Sequence, residues 1–394
     1  MNIEKFKNSP VGTLVPIFGT DPRFGEWRHW AFSPFDLPET PILLRPETQL
    51  QVTNARVALA SLNRAARQLP NPHLLRGPTL RREAQSTSAL EGTYATLEEV
   101  MTSDEKSEPL NGNLKEVMNY VKSANYAFSS LAEGRTLTLD LLEDLQNRLI
   151  RGTHADNSQG GKVRDIQVFI GSHQGSRISD ARFVPRPPDI DLPIQVRSLL
   201  SWMQSENRSN IDPIVAAAMA HYQFETLHPF NDGNGRIGRL LIVLHLMTMN
   251  VINEPMLSVS EWFESRRAEY FDSLLEVSAT GNWDGWINFF SRGIEYSARA
   301  ADSRLTDLLA ARKNLRDKID KSKLTSISAM KLVDFALGNI IFNAKNVQEH
   351  LELTYPRANS LINQLVELGI LKELGRSGRT KHYMAPDVYS IYTG

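Results

Sequence analysis

The twelve residues from His228 to Arg239, HPFNDGNGRIGR, concentrate the side chains of this chain that could handle a nucleotide. The run Gly233-Asn234-Gly235 lets the backbone turn tightly and direct successive N–H groups into one concavity. A helix is predicted to begin at about Asn234, so its positive end adds to the same place. The stretch therefore predicts a turn that binds phosphate oxygens.

Charged side chains flank this turn. Arg236 and Arg239 are three residues apart, so they share a helix face and can grip further phosphates. Asp232 is a hard oxygen ligand for the Mg²⁺ that accompanies nucleotide phosphates. His228 ends the preceding predicted helix and can act as a general base near neutral pH. Each feature alone is more often structural or solvated, so the prediction depends on their combination within twelve residues.

Predicted helices surround the motif. Apolar residues recur at spacings of three and four from Val52 to Leu69, and Pro70 ends that run. Asp212-Pro213 is a good helix start before the apolar run Ile214 to Leu227, which predicts a buried central helix. Further helices are predicted over about 78–91, 114–131, 138–149, 192 onward, 234–249 and most of 260–320.

Two segments lack a helical period. Residues 1–45 are rich in Pro, Trp and Phe, which predicts an arm packed on a core or a partner, since such dense aromatics are rarely left in water. Residues 162–170, KVRDIQVFI, form the one convincing extended segment and are bounded by glycines.

The last 70 or so residues change character. Helices are predicted at about 326–337, 344–351 and 356–368, and LKELGRSGRTKHYMAP then predicts a two-stranded hairpin with a basic turn. Three helices and a hairpin are typical of a winged helix. The predicted division is an N-terminal arm and helical region over 1–110, a catalytic core with its following helices over 111–320, and a winged-helix domain over 321–394.

Composition limits the classes of function. The 394 residues are 41% hydrophobic and 23% charged, with a formal net charge of −1, so nothing global attracts nucleic acid or an anionic membrane. The absence of cysteine excludes disulfides, thiolate metal sites and a cysteine nucleophile. No apolar run is long enough for a signal peptide or a membrane span, so a soluble, cytoplasmic protein is expected.

The motif HPFNDGNGRIGR resembles that of the Fic family, HPFx(D/E)GNGRxxR, at every specified position. The resemblance implies a mainly α fold: a helical core with a β-hairpin flap, here followed by the winged helix. It also implies a protein adenylyltransferase, which moves AMP from ATP to a Ser, Thr or Tyr hydroxyl of a protein, including its own chain. His228 would deprotonate that hydroxyl, and Asp232 would hold Mg²⁺ or Mn²⁺ against the α- and β-phosphates. The turn 233–235 would cradle phosphates, and Arg236 and Arg239 would bind the distal ones.

Three further segments extend the resemblance. Thr87 to Gly92 matches the inhibitory pattern (S/T)xxxE(G/N), which implies that Glu91 pairs with Arg239 and inhibits the enzyme. The segment 162–170 is similar to the flap that holds the target chain as an added strand. The segment around Tyr270 is similar to one in which an aromatic lies near adenine, although a core tyrosine is nearly as good an interpretation. The expected ATP contacts are thus Glu91, His228, Gly233, Asn234, Gly235, Arg236, Ile237, Gly238, Arg239 and Tyr270, with Thr87, Glu91 and Gly92 inhibitory and Asp232 metal-binding.

Alternatives stay open. Fic relatives with altered motifs transfer other phosphate-containing groups, and some remove AMP with the inhibitory glutamate. A reading of another class is a DNA-binding regulator, with TYPRANSLINQLVELG as a recognition helix and Arg376, Arg379 and Lys381 on the wing. The winged helix could instead serve protein contacts or a homodimer. The target protein, the oligomeric state and the signal that relieves inhibition do not follow from the sequence.

Overall fold

The computed structural model describes residues 1–67, 76–103, 111–171, 176–205, 210–322, 324, 326–377 and 380–393. The predicted helix end at Leu69 and Pro70, the wing residue Arg379 and the side chain of Arg376 lie outside the described residues. The helices are α1 (Pro46–Ala66), α2 (Arg76–Leu90), α3 (Leu97–Thr102), α4 (Gly112–Ala132), α5 (Leu139–Ile150), α6 (Asp191–Gln204), α7 (Pro213–Leu227), α8 (Asn234–Thr248), α9 (Ser260–Ser265), α10 (Arg267–Thr280), α11 (Trp283–Asp320), α12 (Ile327–Gly338), α13 (Ala344–Leu351), α14 (Tyr355–Glu367) and α15 (Pro386–Thr393). The strands are β1 (Gly12–Asp21), β2 (Gly25–Pro34), β3 (Lys372–Ser377) and β4 (Thr380–Met384).

The central helices α7 and α8 position the whole site, because the motif 228–239 spans the end of α7 and the start of α8. The backbone N–H of Ile214 donates to the Asp212 carboxylate at 2.9 Å, and Pro213 occupies the first turn, as the sequence predicted. Nearly every residue of α7 and α8 is buried, which is typical of helices that are surrounded by protein on all sides. Helices α6 and α11 pack against α7, and α1 runs along α11.

The inhibitory pattern lies on α2, which packs between α4 and α9 and also contacts α8. The buried carboxylate of Glu83 anchors α2, since it accepts hydrogen bonds from the Ser258 hydroxyl at 3.1 Å and from the backbone N–H of Ser260 at 3.0 Å. The helix ends at Leu90, and Gly92 follows with a φ of +85°. Glu91 is thereby placed at the very end of a firmly packed helix.

The N-terminal arm is a regular hairpin, which the sequence analysis did not predict. Strands β1 and β2 pair antiparallel from Gly12↔Pro34 to Asp21↔Gly25. The hairpin is fastened to the core by Phe32, whose ring packs on Phe183 and whose N–H donates to the Val184 carbonyl at 2.8 Å. The expected packing of the arm on the core is confirmed, and its strands escaped notice because a two-stranded ribbon buries too little of one face to show a clean alternation.

The predicted strand over 162–170 is wrong as a regular strand. Ile170 alone makes a β-bridge, an antiparallel one to Phe183, and the other residues of the segment are extended or bent. The reason is that backbone groups of this segment bond elsewhere: the N–H of Arg164 donates to the Pro229 carbonyl at 2.9 Å. We call residues 162–170 the flap segment below.

The C-terminal unit has the predicted three helices, α12 to α14, followed by the β3–β4 hairpin, and Phe342 bridges to Tyr383 beside that hairpin. Helix α15 was not predicted. The unit packs on α11, where Arg312 pairs with Asp334 at 2.7 Å. It also reaches α2, since Arg82 donates to the carbonyl oxygen of Tyr392 at 2.5 Å. Helix α11 ends at Asp320, but the division of the chain there stays a prediction.

In the part of the chain that the structure describes, no helix is both long enough and apolar enough to span a membrane.

Candidate active site

His228 closes α7 in a left-handed conformation, with φ 49° and ψ 61°. Such angles are uncommon for a residue other than glycine. They end α7 at this residue. The ring Nδ1 lies 3.3 Å from the carbonyl oxygen of Glu225. Because a carbonyl only accepts, Nδ1 carries the proton, and Nε2 keeps its lone pair for an incoming proton.

The electrostatic environment keeps this imidazole neutral. Burial disfavours the charged form, and the nearby Arg164 guanidinium adds to the effect, so the pKa of His228 falls to about 4. The Glu91 and Asp232 carboxylates oppose the shift but do not cancel it. At neutral pH, His228 is therefore able to accept a proton.

Asn234 clamps the loop between α7 and α8. Its side-chain oxygen accepts the N–H of Phe230 at 2.8 Å, and its side-chain nitrogen donates to the Phe230 carbonyl at 2.7 Å. The ring of Phe230 is fully buried. Because the Asn234 amide is consumed in this way, any contribution of Asn234 to phosphate binding comes from its backbone.

The glycines of the motif leave room at the start of α8. Gly233 has a φ of +82°, and a Cβ there would lie 2.7 Å from a methyl carbon of Leu149. A Cβ on Gly235 would overlap the carboxylate oxygen of Glu91, and one on Gly238 would overlap that of Glu225. The first turn of α8 thus offers bare backbone N–H groups, as an anion site requires. Ile237, in contrast, points into the core with 1% exposure.

Arg239 is held by Thr87 of α2 and by Glu91, which follows the end of that helix. Its side chain is 1% exposed, and its Nη2 lies 2.6 Å from Glu91 Oε1. Its Nε donates to the Thr87 hydroxyl at 2.7 Å, and Nη2 also donates to the Thr87 carbonyl at 3.0 Å. Burial alone would raise the pKa of Glu91, but the charge and hydrogen bond of Arg239, together with the Arg236 charge, lower that pKa. Burial alone would lower the pKa of Arg239, yet the charges of Glu91 and other neighbours together raise it.

Arg236 points to the other side of the turn. Its Nη1 donates to a carboxylate oxygen of Glu116 at 3.2 Å, and its Nη2 lies 3.4 Å from Asp232 Oδ1. Glu116, which is buried on α4, also accepts from the Thr93 hydroxyl at 2.9 Å and contacts His154 Nδ1 at 2.9 Å. A buried carboxylate therefore fixes the guanidinium that faces Asp232.

Asp232 is the candidate metal ligand. Its side chain is 37% exposed, and its backbone carbonyl accepts a hydrogen bond from Gln146 at 3.1 Å. Within the described ranges no group of three or more His, Cys, Asp or Glu side chains could by itself hold a metal ion. A single exposed carboxylate beside a phosphate turn fits a magnesium ion that takes its remaining ligands from the nucleotide and water.

The structure does not bring Tyr270 to the surface of the site. Its side chain has 0% exposure, its hydroxyl contacts His221 Nε2 at 2.8 Å, and its ring stacks on Phe263 at 4.6 Å. The next residue, Phe271, instead lines an apolar crevice beside Glu225. Tyr270 is a core residue behind Arg239.

Sequence reasoning missed several residues of the site. Glu225 is the only acidic residue of α7; burial raises its pKa to about 8, and its buried Oε1 has no hydrogen-bond partner among the described residues. A carboxylate in an otherwise apolar run was a usable signal. Arg164 and Glu116 carried no such signal, because their partners lie far away in the chain: Arg164 bonds to the His228 carbonyl, and Glu116 to Arg236.

The fold and the site define a class of protein. It is mainly helical, and a Gly-rich turn between two central helices lies between a histidine, His228, and a buried arginine, Arg239. Residues 49–129 match the family model described as Fic/DOC family N-terminal, and residues 136–246 match the one described as Fic/DOC family. The chain thus contains a Fic/DOC N-terminal region and a Fic/DOC domain.

Curated relatives carry matching names. Protein adenylyltransferase fic-1 of Caenorhabditis elegans is 33% identical over 189 residues, which are 47% of this chain and 32% of the relative. Protein adenylyltransferase Fic of Drosophila grimshawi is 31% identical over 234 residues, which are 59% of this chain and 43% of the relative. The chain thus spans less than half the length of these relatives.

The fold also matches a crystal structure of a Fic family protein from Desulfovibrio desulfuricans G20. The match has a TM-score of 0.56 and 21% identity, and it covers 88% of this chain and 98% of that one. At this identity the likeness shows a shared fold and no more.

Proposed function

We propose that this protein transfers AMP from ATP to a serine, threonine or tyrosine hydroxyl of a protein. One observation carries the proposal: a carboxylate, Glu91, occupies the space beside the bare backbone of Gly235 and pairs with the buried Arg239 at 2.6 Å. A guanidinium and a helix N-terminus that together hold a carboxylate are built to hold an anion. The anion that fits beside the neutral His228 and a carboxylate able to bind a metal ion, Asp232, is a nucleoside triphosphate.

In this reaction the target hydroxyl oxygen attacks the α-phosphorus, and a new P–O ester bond forms. The bond from the α-phosphorus to the bridging oxygen breaks, and diphosphate leaves with its electron pair. The hydroxyl proton moves to Nε2 of His228, which is free because Nδ1–H faces the Glu225 carbonyl. Positioning and charge stabilisation supply most of the rate enhancement in phosphoryl transfers.

Asp232 would hold a magnesium or manganese ion, which when bound neutralises phosphate charge. The backbone of 233–235 and Arg236 would bind phosphate oxygens around it. Arg239 would bind the terminal phosphate once Glu91 leaves. Each of these groups lies on the loop before α8 or in its first two turns, so one rigid element orients all of them.

We propose that the adenine lies in the apolar crevice beside Glu225, and not against Tyr270 as the family resemblance implied. The crevice is lined by Ile170, Phe183, Phe271, Leu274 and Leu275 among others. The remaining lining residues are polar: Arg182, Glu225, Thr226 and Ser278. Largely apolar walls with a few polar groups are the usual surroundings of a small ligand such as a planar base. The flap segment borders the same crevice through Ile170, so the target chain would lie along it, held by backbone hydrogen bonds.

The proposal is tested with ATP that is labelled on either the α- or the γ-phosphate. The protein is incubated with each, alone and with cell lysate, and modified proteins are identified by mass spectrometry. Label transfer from the α-position and not from the γ-position supports AMP transfer. Transfer from the γ-position, or none from either with Glu91 replaced by glycine, contradicts it.

Removal of AMP is a second candidate, which the state of Glu91 favours. Its side chain is 35% exposed at the phosphate turn, and the charge and hydrogen bond of Arg239 help to keep its pKa lowered. An ionised carboxylate there can accept a proton from a water that attacks an AMP ester. Incubation with AMP-modified protein, comparing wild type with Glu91→Gln, distinguishes the two reactions.

A further inference from the structure

Arg164 is a buried cation in the flap segment, with 3% exposure. Its guanidinium donates to backbone carbonyl oxygens: Nε to that of His228 at 2.8 Å, Nη2 to that of Arg186 at 2.6 Å, and Nη1 to that of Ile166 at 3.2 Å. Its own backbone N–H donates to the carbonyl of Pro229 at 2.9 Å. One residue thus connects the flap segment with the backbone at Arg186 and with the start of the loop between α7 and α8.

This arrangement is unusual for a buried charge. Among the described residues no carboxylate lies within ion-pair distance of Arg164, and the Asp189 carboxylate is taken by Arg186 at 2.6 Å. Burial, together with the Arg186 charge, lowers the pKa of Arg164 to about 10. Buried charges are normally paired, so a cation that is retained among carbonyls alone points to a role at the groups it binds.

The group that it binds most directly is the backbone of the base. His228 has a φ of 49°, and a left-handed backbone at a non-glycine residue persists only where its surroundings enforce it. Arg164 donates to two consecutive backbone carbonyls of this loop. Its Nε donates to that of His228, and its backbone N–H donates to that of Pro229. The direction of the imidazole therefore depends on Arg164.

We infer that Arg164 is the positioning residue of the base, which holds the left-handed turn at His228 and fastens the flap segment to it. Arg164 then fixes the distance between the flap segment and His228. A target hydroxyl held along the flap is thereby kept within reach of the imidazole that deprotonates it. This inference rests on the proposed function, because it takes His228 as the base and residues 162–170 as the target-binding segment.

The charge of Arg164 acts on the same imidazole. The charged groups that face His228 are Arg164, Glu91 and Asp232, and the Glu225 carbonyl accepts from its Nδ1. Arg164 is the one that opposes protonation. Position and charge are therefore separable: Arg164→Lys keeps the charge but replaces a rigid fork of three donor nitrogens by a single one, whereas Arg164→Met loses both.

The experiment compares Arg164→Lys and Arg164→Met with wild type, each also in a Glu91→Gly background so that inhibition does not mask the rates. Arg197→Lys, an exposed arginine of α6, is the matched control. We expect Arg164→Lys to lower kcat about 10- to 100-fold with KM for ATP nearly unchanged, because a small misplacement of a reacting group has an effect of this size. The control should stay within twofold of its parent.

The pH profile of kcat/KM separates positioning from mere support of the fold. Loss of a positive charge raises the pKa of the base, so the acid limb of Arg164→Met should move to higher pH, while that of Arg164→Lys stays in place. Thermal unfolding and binding of a fluorescent ATP analogue establish which variants are folded. If Arg164→Met does not fold, Arg164→Lys alone decides through its kcat and KM.

A folded Arg164→Lys with kcat within twofold of its parent overturns the inference, as does a loss that appears only in KM for ATP. His228→Ala distinguishes failure of the positioning role from failure of the proposed function. If it is inactive while Arg164→Lys is fully active, only the positioning role is lost. If His228→Ala itself transfers AMP at the parent rate, the proposed function and this inference both fall.

Discussion

Glu91 Oε1 lies 2.6 Å from Nη2 of Arg239 and directly over the Cα of Gly235, across 148 residues of chain. The pair is asymmetric, since the arginine side chain is 1% exposed and the glutamate side chain is 35% exposed. Arg239 is also fixed from behind by Thr87, whereas Glu91 is attached to the end of α2. The carboxylate is therefore the partner that can leave.

We predict that Glu91→Gly raises the rate of AMP transfer about 5- to 150-fold, the usual range of a coupling between two states. Removing the carboxylate frees Arg239 for the terminal phosphate. The transfer rate of Glu91→Gln should fall between those of wild type and Glu91→Gly, because the glutamine keeps the bulk of the side chain and loses its charge. Initial rates at equal ATP and metal measure the effect, with Glu98→Gln on the exposed face of α3 as the control. Equal or lower rates in a folded Glu91→Gly would refute the inhibitory role, and Arg239→Ala should lose activity.

The sequence predicted the helices of this protein well and the contacts of its site unevenly. Regular apolar spacing was enough for α1, and Asp212-Pro213 was enough for the start of α7. Residues 228–239 lie at the junction of α7 and α8, as the motif predicted, because they are close in the chain, while the roles of His228 and Arg239 stay predictions. Whether Tyr270 lies near adenine or in the core could not be decided, since that depends on the rotation of α10, and neighbouring residues of a helix face different sides.

Long-range partners were beyond a single sequence. Glu116 meets Arg236 across 120 residues, and Arg164 meets the His228 carbonyl across 64. A carbonyl acceptor has no residue type, so nothing in the sequence marks it. The β1–β2 hairpin was missed for a different reason: its strands leave Phe18 at 85% exposure and Trp30 at 43%, so aromatic residues do not report which face is buried.

His228→Ala should abolish AMP transfer while ATP still binds, because the base acts on the hydroxyl and does not hold phosphate. In the wild type, burial and Arg164 lower the pKa of this histidine to about 4. The base works when neutral, so kcat/KM should stay level from pH 7 to about 5 and fall only as pH approaches 4. An ordinary histidine, with a pKa near 6.5, would lose activity below pH 6.5. A midpoint near 6.5 in a protein that is folded at pH 5 would contradict the lowered pKa.

Metal removal should stop the reaction. Asp232 is the only carboxylate of the motif, and among the described residues no group of three or more His, Cys, Asp or Glu side chains could hold an ion in the absence of nucleotide. We expect excess chelator to abolish transfer, Mg²⁺ or Mn²⁺ to restore it, and Asp232→Ala to lower kcat/KM at least 10-fold. The metal concentration for half-maximal activity should rise in Asp232→Asn, which keeps the shape and loses the charge. Undiminished activity in chelator would refute this assignment.

Duplex DNA should bind the C-terminal unit weakly or not at all. Lys381 on β4 is paired with Glu373 at 2.8 Å, which cancels one of the basic residues expected to contact phosphate. The chain as a whole has a net charge of −1. A mobility-shift titration at several salt concentrations tests this, because phosphate contacts weaken steeply with salt. Tight binding at physiological salt would restore the reading of this unit as a DNA-binding module.

Finally, Glu116→Gln should raise KM for ATP several-fold and change kcat less. Arg236 is 4% exposed, so it cannot reorient freely, and the Glu116 carboxylate at 3.2 Å sets the direction in which its guanidinium faces Asp232. The neutral amide keeps the size of the side chain but has only one oxygen to share among Arg236, Thr93 and His154. Thr93→Val is the matched control, since it removes one donor to Glu116 and leaves Arg236 its carboxylate. Should Thr93→Val raise KM as much as Glu116→Gln does, the effect would belong to the turn after α2 and not to the orientation of Arg236.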